Sequence, residues 1–182
     1  MLELTNINST FNLNNEVKIP CVGYGTFRTP ADVAEQAVKE AIETGYRHID
    51  TAAVYGNEEA VGKGIKDSGI KREDLFVTSK LWNTNRGYEQ TKKAFQETLD
   101  RLQMDYLDLY LIHWPANEKQ FGDDAAKINA ETWRAMEDLY NEGKIRAIGV
   151  SNFMPHHIAE LMKTAKVAPA VDQIEVHPGW PH

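Results

Sequence analysis

Short apolar runs alternate along the chain with longer amphipathic stretches. Six of the short runs are rich in β-branched and aromatic residues and have the character of strands. These runs are Val22–Tyr24, His48–Asp50, Phe76–Thr78, Leu107–Ile112, Ala147–Val150 and Val171–Ile174. The amphipathic stretches between them have apolar residues at helical spacing, which predicts helices. The alternation therefore predicts an α/β fold with parallel strands joined by right-handed helical crossovers.

Residues typical of helix ends support this segmentation. Thr29 and Pro30 predict an N-cap and a proline in the first turn of the first helix. Asn57, followed by two glutamates, predicts the N-cap of the second helix, with both carboxylates near its positive end. Gly143 has the position of a glycine that ends the fourth helix. The predicted helices thus begin and end between the predicted strands.

Two segments lie outside the alternation. Residues 4–20 are polar, with short alternation around an Asn14-Asn15 turn, which predicts an N-terminal β-hairpin. Residues 116–129 are charged and lack periodicity, so we expect a long loop after the fourth strand. Six strands and five helices remain, whereas a closed (β/α)₈ barrel needs eight units and typically ~250 residues. The pattern fits either an open doubly wound sheet or most of a barrel without its last quarter.

Length and composition exclude several classes of protein. The 182 residues, 42% of them hydrophobic, fit one domain with a sizeable core. A net charge of −7 without a basic run argues against a nucleic-acid partner. The single cysteine, Cys21, excludes an intramolecular disulfide and suits a reducing cytoplasm. We read no secretory signal at the N-terminus and no apolar run long enough for a membrane span.

Four side chains that can carry or share a proton follow the ends of three successive predicted strands. Asp50 ends the second strand and Tyr55 comes shortly after it, Lys80 follows the third, and His113 follows the fourth. Each residue alone more often has a structural role, such as a cap, a solvated lysine or a packed turn. Because the carboxyl ends of parallel strands meet at one edge, we expect the four to converge in a functional site.

The chemistry of these four groups suits the reduction of a carbonyl group. Tyrosine has an ordinary pKa of about 10, and a neighbouring ammonium group is expected to lower the pKa of Tyr55. A carboxylate beside Lys80 would keep that lysine charged, and His113 would stabilise charge that develops on a carbonyl oxygen. No side chain donates hydride, so a nicotinamide cofactor is implied.

Several motifs resemble those of the aldo-keto reductases. The first signature is similar to Gly45–Ala52 together with Tyr55–Glu58 and Val61–Gly62, and the second to Arg146–Phe153. Thr78–Trp82 and Leu111–Pro115 are equally typical of the family. The resemblance runs from Gly23 to the C-terminus in matching order and spacing.

This resemblance implies a (β/α)₈ TIM barrel that binds NADPH across the carboxyl ends of its strands. It implies that Tyr55 is the general acid, that Lys80 tunes it, that Asp50 pairs with Lys80 and that His113 orients the carbonyl. The implied cofactor-binding residues are Gly25, Thr26, Asp50, Ser151, Asn152 and Gln173, where the backbone at Gly25 and Thr26 would approach the cofactor. The implied substrate-binding residues are Tyr24, Phe27, Trp82, His113 and Trp114.

The expected function is the NADPH-dependent reduction of aldehydes, α-dicarbonyls or keto-sugars to alcohols, without a metal. The family's seventh and eighth strands, with an aromatic that stacks on nicotinamide and the grip on the 2′-phosphate, have no counterpart here. We therefore expect residues 1–182 to form a single barrel domain incomplete at its C-terminus, with self-association through unpaired strand edges. The alternative is a catalytically silent barrel that acts as a nucleotide-binding or regulatory module. A metal-dependent hydrolase on the same barrel lacks ligand spacing.

Overall fold

The strands form a wall in which each strand pairs with the next strand along the chain. In a computed structural model, which describes residues 5–180, six parallel strands lie in the order β3-β4-β5-β6-β7-β8. They are β3 (Tyr24–Gly25), β4 (His48–Asp50), β5 (Phe76–Leu81), β6 (Leu107–Ile112), β7 (Ile145–Ser151) and β8 (Asp172–Gln173). A doubly wound sheet would reverse its strand order. The unbroken order is that of a barrel wall, here a half-barrel.

A separate antiparallel hairpin precedes the half-barrel, as predicted. Its strands are β1 (Thr10–Asn12) and β2 (Lys18–Pro20), and Phe11 lies opposite Ile19. The predicted hairpin began at Leu4, which lies outside the described residues.

Six α-helices accompany the strands within residues 5–180, one more than predicted. They are α1 (Ala31–Thr44), α2 (Glu58–Asp67), α3 (Tyr88–Leu102), α4 (Glu118–Phe121), α5 (Asp124–Asn141) and α6 (Pro155–Leu161). No helix among residues 5–180 is long and apolar enough to cross a membrane. The expected loop over residues 116–129 is wrong, because α4 and the start of α5 occupy most of it. Polar contacts hold this segment. The Asn117 side chain caps α4, and the Asn129 side-chain amide forms hydrogen bonds with both the N–H and the carbonyl oxygen of Ala116. Apolar periodicity in the sequence could not reveal helices that polar contacts hold in place.

Of the two predicted N-caps, Thr29 is wrong, and Asn57 has the predicted position without a capping hydrogen bond from its side chain. Helix α1 begins at Ala31 with Pro30 as its N-cap, so Thr29 lies one position too early. Asn57 does precede α2, but its side chain does not cap that helix. Its amide instead donates to the carbonyl oxygens of Thr26 and Thr29, at 3.0 Å each. Asn57 thereby fixes the loop after β3. Gly143 follows α5 with a φ of +74°, and its predicted role is confirmed.

The strands contribute to two apolar layers because successive side chains point to opposite faces. Tyr110 and Ile148 pack outwards against the helices, in a cluster that includes Phe95 of α3 and Trp133 of α5. Leu109, Leu111 and Ala147 face the interior with Phe76, and the hairpin residues Leu13, Val17 and Ile19 pack against them. The hairpin therefore covers the amino end of the half-barrel and leaves the carboxyl end open.

Candidate active site

Strand ends and one tight turn place the four proton-carrying side chains. Strand β4 ends at Asp50, and a single turn of 3₁₀ helix (Ala53–Tyr55) follows it. Gly56 ends that turn with a φ of +68°, a conformation that glycine adopts without strain. Lys80 lies near the end of β5, which extends three residues further than predicted, and His113 directly follows β6. All four residues are therefore at the carboxyl end of the half-barrel.

The ammonium group of Lys80 is the centre of this cluster. It lies 2.5 Å from Asp50 Oδ1, 2.9 Å from the carbonyl oxygen of Thr51 and 3.5 Å from the hydroxyl of Tyr55. The Lys80 side chain is 1% exposed and that of Asp50 is 16% exposed. A buried ammonium group needs a paired anion to stay charged, and Asp50 provides it.

His113 completes the cluster through ring contacts. Its imidazole lies edge-on to Tyr55 and to Trp82, with ring centroids 5.8 and 5.2 Å apart. The ring of Phe27 covers Tyr55 from another side at 5.2 Å. The Nδ1 atom of His113 is buried and has no hydrogen-bond partner among residues 5–180. The structure thus brings Asp50, Tyr55, Lys80 and His113 together.

The pKa values of two of these groups move in directions set mainly by burial. Burial, with a smaller contribution from Asp50, raises the pKa of Tyr55 to about 12. Burial and then the Lys80 ammonium lower the pKa of His113 to about 4. The expectation of a Tyr55 pKa below the ordinary value is therefore wrong. Burial and the charge of Asp50 outweigh the stabilisation of a phenolate by the Lys80 ammonium, 3.5 Å away. At neutral pH Tyr55 is a phenol and His113 is uncharged.

A cavity of about 1000 Å³ opens over the cluster. It extends from the carboxyl end to the hairpin, where Phe11, Ile19 and Cys21 line it. Three of the predicted substrate-binding aromatics line the cavity, and two of them are prominent at its surface: Phe27 is 63% exposed and Trp114 is 47% exposed. The third, Trp82, also contacts His113.

Tyr24 does not line the cavity, so its predicted place in the substrate pocket is wrong. Its ring packs edge-on against Tyr46, with centroids 5.9 Å apart, and against the outer apolar cluster. The reason is strand alternation: Gly23 and Gly25 line the cavity, so the residue between them points outwards.

The expected approach of the Thr26 backbone to a cofactor also meets an obstacle. Its N–H donates to the carbonyl oxygen of Asp50 at 2.9 Å, and its own carbonyl oxygen accepts from Asn57. Of the polar groups of Thr26, only the buried hydroxyl has no partner in the described part of the chain. Gly25 differs, since no atom lies within 4 Å of where a Cβ would be. Its backbone is open to a ligand.

The opposite wall of the cavity consists of three residues that are hydrogen-bonded to one another, Ser151, Asn152 and Gln173. The Ser151 hydroxyl donates to the Gln173 carbonyl oxygen at 2.7 Å. Asn152, which has a φ of +60°, donates its amide to the His113 carbonyl oxygen and to Ser151 Oγ. The side chain of Gln173 donates to Asp50 Oδ2 at 2.8 Å. Sequence reasoning missed this last contact, because no local pattern relates positions 50 and 173.

Two more residues near the site were also missed. His48 lines the cavity, and its Nε2 lies 2.9 Å from Thr78 Oγ1. A Cβ at position 23 would lie 2.7 Å from His48 Nδ1, so Gly23 is required for this packing. Arg86 donates to the carbonyl oxygens of Trp114 and Pro115 and so fixes the loop that carries Trp114. The sequence offered one hint for these two residues, which is that His48 begins the predicted strand His48–Asp50 within the first signature.

A metal site would need several acidic, histidine or cysteine side chains close together. Across residues 5–180 there is no group of three or more His, Cys, Asp or Glu side chains that could hold a metal ion.

The fold and the site together define a barrel-type α/β protein with a Tyr-Lys-Asp-His cluster at its carboxyl end. The model of the Aldo/keto reductase family matches residues 21–180. Glyoxal reductase of Bacillus subtilis (strain 168) is 54% identical over 175 residues, which cover 96% of this chain and 60% of that protein. The chain belongs to the aldo/keto reductase family.

Solved structures agree with this assignment. The crystal structure of an aldo/keto reductase from Brucella melitensis superposes with a TM-score of 0.89 at 48% identity, covering 96% of this chain and 64% of that one. A Bombyx mori aldo-keto reductase in complex with NADP gives a TM-score of 0.84 at 44% identity, covering 92% and 58%. The chain spans about 60% of the length of the curated relative described above.

Proposed function

We propose that the protein reduces small aldehydes and ketones, including α-dicarbonyls and keto-sugars, to alcohols with NADPH. The observation that carries this proposal is the contact of a buried, Asp50-paired Lys80 with the hydroxyl of Tyr55, 3.5 Å away at the end of a large cavity. A relative with 54% identity is named a glyoxal reductase, which supports α-dicarbonyls as one class of substrate.

The residues of the site fit a nicotinamide cofactor. A carboxamide group needs acceptors for its two N–H bonds. Asn152 Oδ1 and Gln173 Oε1 have no hydrogen-bond partner within residues 5–180, while the amide nitrogens of both residues are engaged. We propose that these two oxygens and Ser151 hold the carboxamide, with the Gly25 backbone against the cofactor. The Bombyx mori relative was crystallised with NADP, which supports the same cofactor here. NADPH would supply the hydride.

Tyr55 is the proposed proton donor. With a pKa of about 12 it stays protonated at neutral pH. An alkoxide is a much stronger base than a phenolate, so proton transfer from Tyr55 to it is downhill. The Lys80 ammonium, which pairs with Asp50, then stabilises the phenolate that remains. The phenolate must regain a proton from solvent before Tyr55 can donate again, and a pKa of about 12 favours that step at neutral pH.

His113 is the proposed residue that orients the substrate carbonyl. Its pKa of about 4 makes it an uncharged imidazole above that pH, with one N–H to donate. An uncharged donor polarises a carbonyl oxygen without giving up its proton. The aromatic rings of Phe27, Trp82 and Trp114 would exclude water from the reacting atoms.

Cofactor binding and turnover of glyoxal test this proposal separately. NADPH fluorescence on titration measures binding, and NADPH absorbance with glyoxal measures turnover. Tyr55→Phe should leave NADPH affinity nearly unchanged and lower turnover by roughly 10²- to 10⁴-fold. Tyr140→Phe, in the outer apolar layer, is the matched control and should change neither.

The outcomes separate the proposal from its alternative. Near wild-type turnover of Tyr55→Phe would show that another group is the acid. Binding of NADPH by a wild-type chain that turns over no carbonyl would instead favour a nucleotide-binding module.

Four further points stay predictions. We propose a cytoplasmic protein that forms a single domain and has small-molecule partners, with no nucleic acid or metal. Self-association would use β3 and β8, each of which has one neighbour in the six-stranded sheet of residues 5–180. Light scattering of the purified chain would test it.

A further inference from the structure

The carboxylate of Asp50 is held at both oxygens. Oδ1 lies 2.5 Å from Lys80 Nζ, and Oδ2 accepts a hydrogen bond of 2.8 Å from Gln173 Nε2. Asp50 ends β4 and Gln173 ends β8, and these strands are separated by three others in the sheet. The contact therefore crosses the interior of the half-barrel between two residues that line the cavity.

Gln173 is itself anchored, so it can fix Asp50. Its carbonyl oxygen accepts from the Ser151 hydroxyl at 2.7 Å and from the Asn152 N–H at 3.1 Å. If Gln173 did not donate to Oδ2, that oxygen would have no protein partner within residues 5–180. The carboxylate could then rotate away from Lys80. Because Lys80 reaches the Tyr55 hydroxyl at 3.5 Å, a small rotation would change the distance between the ammonium group and the phenol.

A glutamine amide can hold Asp50 and a cofactor at the same time. It has two N–H donors and one acceptor oxygen. One N–H goes to Asp50, so Oε1 and the second N–H remain for a carboxamide. A hydrogen bond accepted at Oε1 polarises the amide and strengthens its N–H donation.

We propose that Gln173 is a positioning residue that links the cofactor's carboxamide to the Asp50–Lys80 pair and so to the proton donor Tyr55. This inference rests on the proposed function. It predicts that Gln173 affects the rate of reduction at saturating NADPH, and not only the affinity for NADPH.

Two variants at position 173 test this link. Gln173→Met keeps the length of the side chain but donates no hydrogen bond. It should lower the rate of NADPH oxidation by glyoxal, at saturating NADPH, by about tenfold, the size expected for one lost hydrogen bond to a charged group. Gln173→Glu can donate only while its new carboxyl group is protonated. Two carboxylates at this distance repel each other, so this variant should approach the wild-type rate at acidic pH and fall to that of Gln173→Met as pH rises.

A matched control removes a similar bond elsewhere. Gln96 Nε2 donates to Asp100 at 2.8 Å on the exposed face of α3, and Gln96→Met should leave rate and affinity unchanged. If Gln173→Met raises only the dissociation constant of NADPH, and Gln173→Glu follows the wild-type pH profile, Gln173 binds the cofactor and does not position Asp50.

A double-mutant cycle without cofactor gives a readout that does not depend on activity. Urea denaturation of Gln173→Met, Asp50→Asn and the double variant at neutral pH should be non-additive, with Gln173→Met nearly silent once Asp50→Asn is present. Additive effects would overturn the proposal. If the wild-type chain reduces no carbonyl, the proposed function is wrong whatever the cycle shows. A non-additive cycle would then mean that the contact between Gln173 and Asp50 is structural, without a positioning role in catalysis.

Discussion

Each end of the half-barrel holds a carboxylate against at least one cationic side chain, and the two carboxylates differ in what surrounds them. At the amino end, Asp108 is fully buried. It accepts from Arg72 at 2.7 Å, from Arg146 at 2.8 Å and from the backbone N–H of Val77 at 2.9 Å. At the carboxyl end, Asp50 meets one cation, Lys80, and one amide, beside an open cavity.

This difference leads to the proposal that the charge cluster at the amino end contributes to stability and the one at the carboxyl end to chemistry. The Asp108 carboxylate is fully engaged, because two arginines and one backbone N–H donate to it. The Lys80 cluster is open, because its ammonium group also reaches a phenol that lines the cavity. In (β/α)₈ barrels the carboxyl end carries the active site and the amino end contributes to stability. The predictions below test that division.

The largest effect is expected at Lys80. Lys80→Met should lower turnover with glyoxal by roughly 10³-fold, about 4 kcal/mol, because phenolate forming at Tyr55 loses its cation. NADPH fluorescence titration should give a nearly unchanged affinity. Lys63→Met removes an exposed pair with Glu35 and is the control. If Lys80→Met turned over glyoxal at the wild-type rate, the Lys80 cluster would not be catalytic. The proposed difference between the two ends would then be wrong.

Asp108→Asn tests the amino end. It should lower the free energy of unfolding by about 3 kcal/mol, because two arginines lose their anion in a buried site. Turnover at a temperature where the variant is folded should match wild type. Urea denaturation measures the first effect and NADPH absorbance the second. A loss of turnover in the folded variant would mean that the two ends are not independent.

His113 should make stability depend on pH. Its pKa is about 4 in the folded chain and about 6.5 unfolded, so between these values the unfolded chain binds more protons. The free energy of unfolding should therefore fall as pH drops from 6.5 towards 4, by about 3 kcal/mol from this residue. The comparison is between wild type and His113→Gln in urea denaturation, and the slope should be shallower in the variant. Parallel slopes would contradict the burial of an uncharged His113.

The smallest effect separates two aromatic residues near the cavity. Tyr24→Leu should leave KM for glyoxal unchanged and lower the free energy of unfolding by about 1 kcal/mol, because the Tyr24 ring packs outwards on Tyr46. Trp114→Leu should raise KM, because Trp114 lines the cavity. Steady-state kinetics of both variants would measure these KM values. A raised KM in Tyr24→Leu would mean that Tyr24 belongs to the substrate pocket after all.

Local patterns predicted much of this protein. Leu107–Ile112 was predicted with its observed bounds, and the end of α5 at Gly143 followed from local geometry. The rule that parallel strands end at one edge predicted where Asp50, Lys80 and His113 would lie, because that rule depends only on strand order. The helices in residues 116–129 were missed, since side-chain amides rather than an apolar stripe hold them.

The sequence by itself determined the order of strands and helices, the hairpin and the identity of the proton-carrying groups, because these depend on periodicity and turn chemistry between near neighbours. Only the tertiary structure decided three other properties. Burial and the charge of Asp50 set the pKa of Tyr55 opposite to expectation, alternation turned Tyr24 outwards, and curvature of the sheet brought Gln173 to Asp50. The first and the third depend on groups far apart in the chain, whose distance and solvation exist only once the sheet has curled. The second depends on which face of β3 the curled sheet turns inwards.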